Sequence, residues 1–248
     1  MFEGFRTALG ILRSIRIYYG DSSRAAAMDR LYARFVRRGD LVFDIGAHLG
    51  NRVASFRRLG ARVVAVEPQP AMVKVLKLFY GRGAEVAIET QAVGRNVGTT
   101  SMMINVDNPT VSSASLDFID AARGAPGWEN QRWTKSVSVP LTTLDELIDK
   151  HGVPAFIKID VEGFEAEVLA GLTHVVNALS FEFTTIQRDV ALACVERCIA
   201  MGYTRFNAAL GESQNFVNAD WVGGEEIARW LTGLPYAANS GDVYAALR

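Results

Sequence analysis

Residues 43–51 read Phe-Asp-Ile-Gly-Ala-His-Leu-Gly-Asn, and this stretch decides the fold. Residues 41–47 form a short apolar run ending in glycine, the composition of a strand buried on both faces of a parallel sheet. Residues 51–59 then carry helical spacing. In doubly wound sheets such a strand–glycine–helix junction opens the crevice where ligands bind, at the carboxyl ends of the strands. Gly46 permits a tight turn and close backbone approach, and Gly50 is expected to let the helix pack near the strand. Residues 62–67 (RVVAVE) read as a second strand ending on Glu67, 21 residues beyond Gly46. A carboxylate there can accept both hydroxyls of an adenosine ribose.

The glycine spacing separates two nucleoside cofactors. A dinucleotide fingerprint is G-x-G-x-x-G and seats a pyrophosphate on the helix amino terminus. Here the spacing is G-x-x-x-G, with Asp44 two residues before the first glycine. An acid at that point repels a pyrophosphate but suits a cofactor bearing an ammonium and a sulfonium. The expected cofactor is S-adenosylmethionine rather than NAD.

Outward from this junction, strands and helices alternate. Residues 70–80 read as a helix opened by proline. Residues 85–93 read as one strand, 99–104 as another, and 136–140, 155–160, 179–183, 203–207 and 242–247 as further strands. Helices are expected over 143–150 (with a hydroxyl cap), 164–172 and 190–201. The pattern implies right-handed βαβ units and a mostly parallel α/β sheet. Residues 105–133 break it with Asn, Pro, Ser, Gly and two tryptophans, and read as a lid or binding loop. Trp128 and Trp133 either stack on an acceptor ring or anchor that lid. One domain over 40–248 is expected, after an N-terminal helical extension over 1–39.

Composition bounds the function. The 248 residues are 49% hydrophobic and 21% charged, enough for one large core. Acidic and basic residues number 27 and 26, so a nucleic-acid partner is not expected. Cys194 and Cys198, spaced i, i+4, are too few for a disulfide framework and read as packed helix residues, with a cytoplasmic location as the default. Phe5, Leu9, Leu12 and Ile15 can form an apolar stripe flanked by arginines. It reads as a docking helix, or as a weak basic contact with a membrane surface or partner. No apolar run is long enough for a transmembrane helix.

A second motif, Lys158-Ile-Asp160-Val-Glu162-Gly163-Phe-Glu165, ends a later strand and opens a helix. Three carboxylates facing the crevice end exceed what a strand terminus needs. Glu165 reads as a helix-start acid favoured by the dipole. Asp160 is the candidate base or acceptor-orienting group, supported by Glu162 and Lys158; the alternative for Lys158 is a strand-end ion pair. Asp160 and Glu182 at adjacent strand ends also admit Mg²⁺, without a third ligand in clear register. His48 reads as a loop hydrogen-bonder or an acid/base group, and His151 and His174 as surface or capping residues.

FDIGAHLGN, VVAVEPQP, QAVG, SVPLTTLDEL, FIKIDVEGFEAEVLAGL, LSFEF and GDVYA occur in this order from about residue 40 onward. In this series the chain resembles the FkbM family of methyltransferases. The resemblance implies a Rossmann-like class I methyltransferase fold, seven-stranded, with helices on both faces and an antiparallel last strand. It implies S-adenosylmethionine as donor and a hydroxyl acceptor on a small molecule, a glycan or secondary metabolite. By motif position, Asp44, Gly46, Ala47, Gly50 and Asn51 would line the methionine part, Glu67 would hold the ribose, and Gln91 and Ala92 would lie beside the adenine. Two other classes stay open at this point: an NAD-dependent oxidoreductase, and a non-catalytic cofactor-binding protein.

Overall fold

The computed structural model describes residues 21–247; the apolar stripe over Phe5–Ile15 lies outside them. Its centre is a seven-stranded sheet of β1 (Leu41–Ile45), β2 (Arg62–Val66), β3 (Val86–Glu89), β7 (Phe156–Ile159), β8 (Ala178–Thr184), β9 (Arg205–Leu210) and β10 (Ser240–Ala246). The order is β3-β2-β1-β7-β8-β10-β9. Neighbours from β3 to β8 are parallel, and β10 enters antiparallel between β8 and β9. The switch point lies between β1 and β7, where crossovers leave in opposite directions and a crevice opens.

Period-two alternation splits the core between the faces. Phe43, Ile45, Val64, Ile157, Ile159 and Phe181 pack under α5 (Leu144–His151), α6 (Glu165–Ala170), α7 (Arg188–Ala200) and α8 (Gly224–Gly233). Val42, Val63, Phe156 and Tyr244 pack under α1 (Ser22–Tyr32) and α2 (Asn51–Arg58), with Leu76 of α3 (Pro70–Tyr80). Helix α1 therefore shares the main core: Met28, Leu31 and Tyr32 are buried, and the Tyr32 ring lies 4.6 Å from that of Phe56. Asp21 starts it by accepting from the Ser23 and Arg24 amides. Thr143 caps α5 in the same way.

Two expected elements differ. Residues 85–93 are not one strand: β2 runs out at Val66, opposite Glu89, so the chain past Glu89 has no partner in the main sheet. It turns and continues as β4 (Ala92–Val93), which joins β5 (Gly98–Asn105) and β6 (Trp133–Thr142) in a three-stranded sheet. Residues 105–133 are not an irregular loop either. They hold a 3-10 turn at Pro109–Val111 and helix α4 (Leu116–Ala122), capped by Ser115. Trp133 already belongs to β6, donating from Nε1 to the Val111 carbonyl at 2.7 Å. Both tryptophan rings stand edge-on to the buried Phe118.

Candidate active site

An open cleft lies at the carboxyl ends of β1, β2 and β7. Gly46, His48, Asn51 and Arg52 form one side and Glu67, Pro68 and Gln69 the next. Gln91–Val93, Thr110, Ser112 and Ala114 close it, with Asp160, Val161, Glu162, Phe164 and Glu212 opposite.

The glycine loop is tied to β2. The Gly46 and Ala47 amides donate to the Val66 carbonyl at 2.9 and 3.0 Å, and the Gly50 amide donates to Ala47. Glu67 is buried, and its two carboxylate oxygens accept from the His48 amide at 2.9 Å and the Gln69 amide at 2.8 Å. Burial raises its carboxyl to about 7 against the pull of those amides. Each oxygen keeps a lone pair beyond its amide, and the held carboxylate faces the cleft. Gly50, at φ 81°, is the N-cap of α2. A Cβ there would meet Leu76 and Tyr80 of α3, so its smallness serves helix–helix contact rather than packing near the strand, and Tyr80 donates to the Gly50 carbonyl at 2.9 Å.

Asp44, Ala47 and Gly50 sit beneath the cleft rather than on its wall, because Asp44 and Ala47 are almost fully buried behind the loop. Gly46, Asn51, Glu67, Gln91 and Ala92 line it. The Gln91 side-chain oxygen is buried without a hydrogen-bond partner, an acceptor left for a ligand donor. Burial raises Asp44 to about 7 although Arg52 and Lys158 pull it down. Burial also lowers His48 to about 4, which keeps the imidazole neutral at physiological pH.

A buried polar row crosses the sheet on the α1–α2 face. Asp44 is in register with Lys158, and Glu182 with Asp242. Lys158 is fully buried; its Nζ donates to Asp242 at 2.8 Å and to Asp160 at 3.1 Å. These acids outweigh desolvation and hold its ammonium charged. In return, against the upward pull of burial, Lys158 and then Arg52 hold Asp160 below the usual carboxylate range. Lys158 is thus an internal ion pair outside the cleft wall, whereas Asp160 and Glu162 line the cleft. Burial, then Asp160, push the carboxyls of Glu162 and Glu182 well up, and a carboxyl hydrogen bond joins Glu182 to Asp160. Ligand-type oxygens of Asp160, Glu162 and Glu182 lie within 4.8 Å of one another. Glu162 is thereby the third acid near Asp160 and Glu182 that sequence register did not show. It takes a left-handed φ of 56°, and Ser113 donates to its carbonyl at 2.5 Å. Glu165, the first residue of α6, accepts from the Val161 and Gly163 amides and so ties the turn after β7 to the helix start.

Sequence reading missed Arg52, Gln69 and Glu212, whereas the Thr110–Ala114 wall falls within 105–133, the segment read as a lid or binding loop. Arg52 pairs with Glu212, 160 residues away, at 3.0 Å. Gln69, before Pro70, donates to the Pro109 carbonyl at 3.2 Å and so ties the 105–133 segment to the loop after β2.

A family model described as "Methyltransferase FkbM domain" matches residues 44–233. Over 197 residues the chain is 25% identical to a hexuronic acid methyltransferase, AglP, of Haloferax volcanii, covering 75% of this chain and 76% of that protein. Among solved structures, magnesium protoporphyrin IX methyltransferase of Synechocystis PCC 6803 aligns at a TM-score of 0.45 and 10% identity, over 95% of this chain and 83% of that one. Fibrillarin of Aeropyrum pernix aligns at 0.47 and 11%, over 86% and 68%. No helix among the described residues is long and apolar enough to cross a membrane.

Proposed function

Because the chain belongs to the FkbM methyltransferase family, we propose that it transfers a methyl group from S-adenosylmethionine to a hydroxyl of a sugar or related small molecule. The observation that carries the cofactor is the state of the loop amides. Those of Gly46, Ala47, His48 and Gly50 are all occupied within the protein, so the loop has none of these donors left to cradle a pyrophosphate. What faces the cleft instead suits a neutral nucleoside with a cationic tail. Glu67 offers two fixed acceptors to a ribose diol, and the orphaned Gln91 oxygen suits an adenine amine. Acids crowd the far end.

S-adenosylmethionine supplies an electrophilic methyl on a sulfonium, with a neutral thioether leaving. The protein's task is alignment and removal of the hydroxyl proton. Asp160, kept ionised by Lys158, accepts the hydroxyl hydrogen bond. Alone it is a weak base. Beside it lie Glu162 and Glu182, whose carboxyls burial and then Asp160 push well up, so a proton taken from the acceptor is held by the cluster as a unit. The sugar acceptor is favoured by the relative named for hexuronic acid methylation. Calorimetry with S-adenosylhomocysteine and NAD tests the cofactor, with binding of the first alone expected. Transfer of radiolabelled methyl to uronic and neutral glycosides tests the acceptor. NAD binding, or no label in any glycoside, overturns the corresponding half.

A further inference from the structure

Four acidic side chains line the cleft: Glu67, Asp160, Glu162 and Glu212. Among the described residues that line it, Arg52 is the one permanent cation. It occupies the second position of α2, directly after the glycine loop, and is nine-tenths buried. One edge of its guanidinium is used, through Nη2 to Glu212 at the rim. Its Nε is buried and reaches no acceptor. Burial works against its charge, but Glu212, Tyr32, Asp242 and Asp160 more than offset this, so it stays ionised. A buried N–H without an acceptor is costly, and here it belongs to a cation beside a cleft. That combination awaits an anion, in a cleft otherwise hostile to anions.

Resting on the donor reading above, we propose that Arg52 binds the carboxylate of the donor's methionine tail. Glu67 and Gln91 take up the adenosine end, just past β2 and β3 respectively. The tail then runs past Gly46 toward Asn51 and Arg52, at the start of α2. The acids that favour its ammonium and sulfonium repel its carboxylate, and Arg52 offsets that repulsion at one point. A guanidinium fork fits a carboxylate in a way that a loop amide or a lysine does not. Glu212 holds the fork in place, so its orientation is set before the ligand arrives.

Calorimetry tests this with two ligands that differ by one group, S-adenosylhomocysteine and its decarboxylated analogue, which keeps the amine. The native protein is expected to favour the first by about 10- to 100-fold, the worth of a charge-assisted hydrogen bond. In Arg52→Met that preference collapses to near unity while affinity for the decarboxylated analogue holds. Arg52→Lys retains part of it. If Arg52→Met does not fold, the Arg52→Met/Glu212→Gln pair leaves no unmatched carboxylate and is measured instead. An unchanged preference in the variant, or an equal loss for both ligands, overturns the assignment. So does a native protein that binds both ligands equally, while a native protein that binds neither overturns the donor reading itself.

Discussion

Gly46 and Asp160 meet backbone to backbone: a Cβ on Gly46 would collide with the carbonyl group of Asp160. The turn after β1 and the end of β7 are thus in direct contact, and the Asp160 amide donates to Ile45 at 2.9 Å. Gly46 also sits at φ 85°, where an L side chain is strained. Its glycine is required by the protein's own backbone before any ligand is considered. Gly46→Ala is expected to cost about 2–4 kcal/mol from the clash and the φ together. For a chain of this size that lowers Tm by roughly 5–15 °C. A Tm within a degree of the native protein would show that the contact relaxes freely.

Glu67 does two things, and its variants separate them. Glu67→Ala strips the acceptor from the His48 and Gln69 amides and leaves two donors without partners, so stability and binding fall together. Glu67→Gln keeps one acceptor oxygen and most of the loop geometry. It is expected to weaken S-adenosylhomocysteine by about 10- to 100-fold, the loss of one charged acceptor to the ribose, with Tm lowered by only a few degrees. Unchanged affinity in a folded Glu67→Gln protein would take Glu67 out of the ribose site.

The buried carboxyls set an unusual pH dependence. Burial raises Asp44, Glu67 and Glu165 to about 7, above their ordinary values. The folded protein therefore binds their protons more tightly than the unfolded chain does. Stability from these groups is full below about pH 4 and is lost as pH rises through about 7. Asp145 works oppositely: burial is outweighed by bonds from His174 and Thr173, its carboxyl sits at about 2, and its contribution disappears in acid. Tm of the ligand-free protein should thus fall from pH 5 to pH 8, and Asp44→Asn should flatten that fall. A Tm that climbs steadily over this range would contradict the burial of these acids as ionisable groups.

The legible parts of the fold are those written locally. The run from Leu41 through Glu67 carries its own period, glycines and terminal acid, and the resulting strand–turn–helix–strand unit matches residue for residue within one or two positions. The break after Glu89 was hidden because it depends on where β2 stops, which no pattern within 85–93 encodes. Helix α8 was hidden for a different reason. Glycines, poor helix formers, stand at 223, 224 and 233, yet Ile227 and Leu231, spaced i, i+4, bury fully against the sheet. Tertiary packing overrides propensity there. In the site, Glu67 and Asp160 follow from strand ends. Arg52 becomes a cleft residue only when Glu212, far away in sequence, folds back over α2.

Asp160 can serve as the proton acceptor or as one arm of a cation site, and the surroundings favour the first. Its nearest cation is already present: Lys158 Nζ stands 3.1 Å away, anchored from behind by Asp242. Glu182 spends a carboxyl on Asp160, so protons satisfy part of the cluster's charge. Against this, the three acids reach within 4.8 Å of one another, and an octahedral Mg²⁺ holds neighbouring oxygens about 3 Å apart, so modest closure would form a site. The two readings differ under chelation. With proton transfer to Asp160, activity in excess EDTA equals that with added Mg²⁺ or Mn²⁺. With a metal, EDTA abolishes turnover and either ion restores it. Asp160→Asn should lower kcat by about 10²- to 10⁴-fold, the range of a lost general base. Binding of S-adenosylhomocysteine should change by only a few-fold, since Glu67 and Gln91 are untouched. A folded Asp160→Ala enzyme with native kcat would remove Asp160 from the chemistry under both readings.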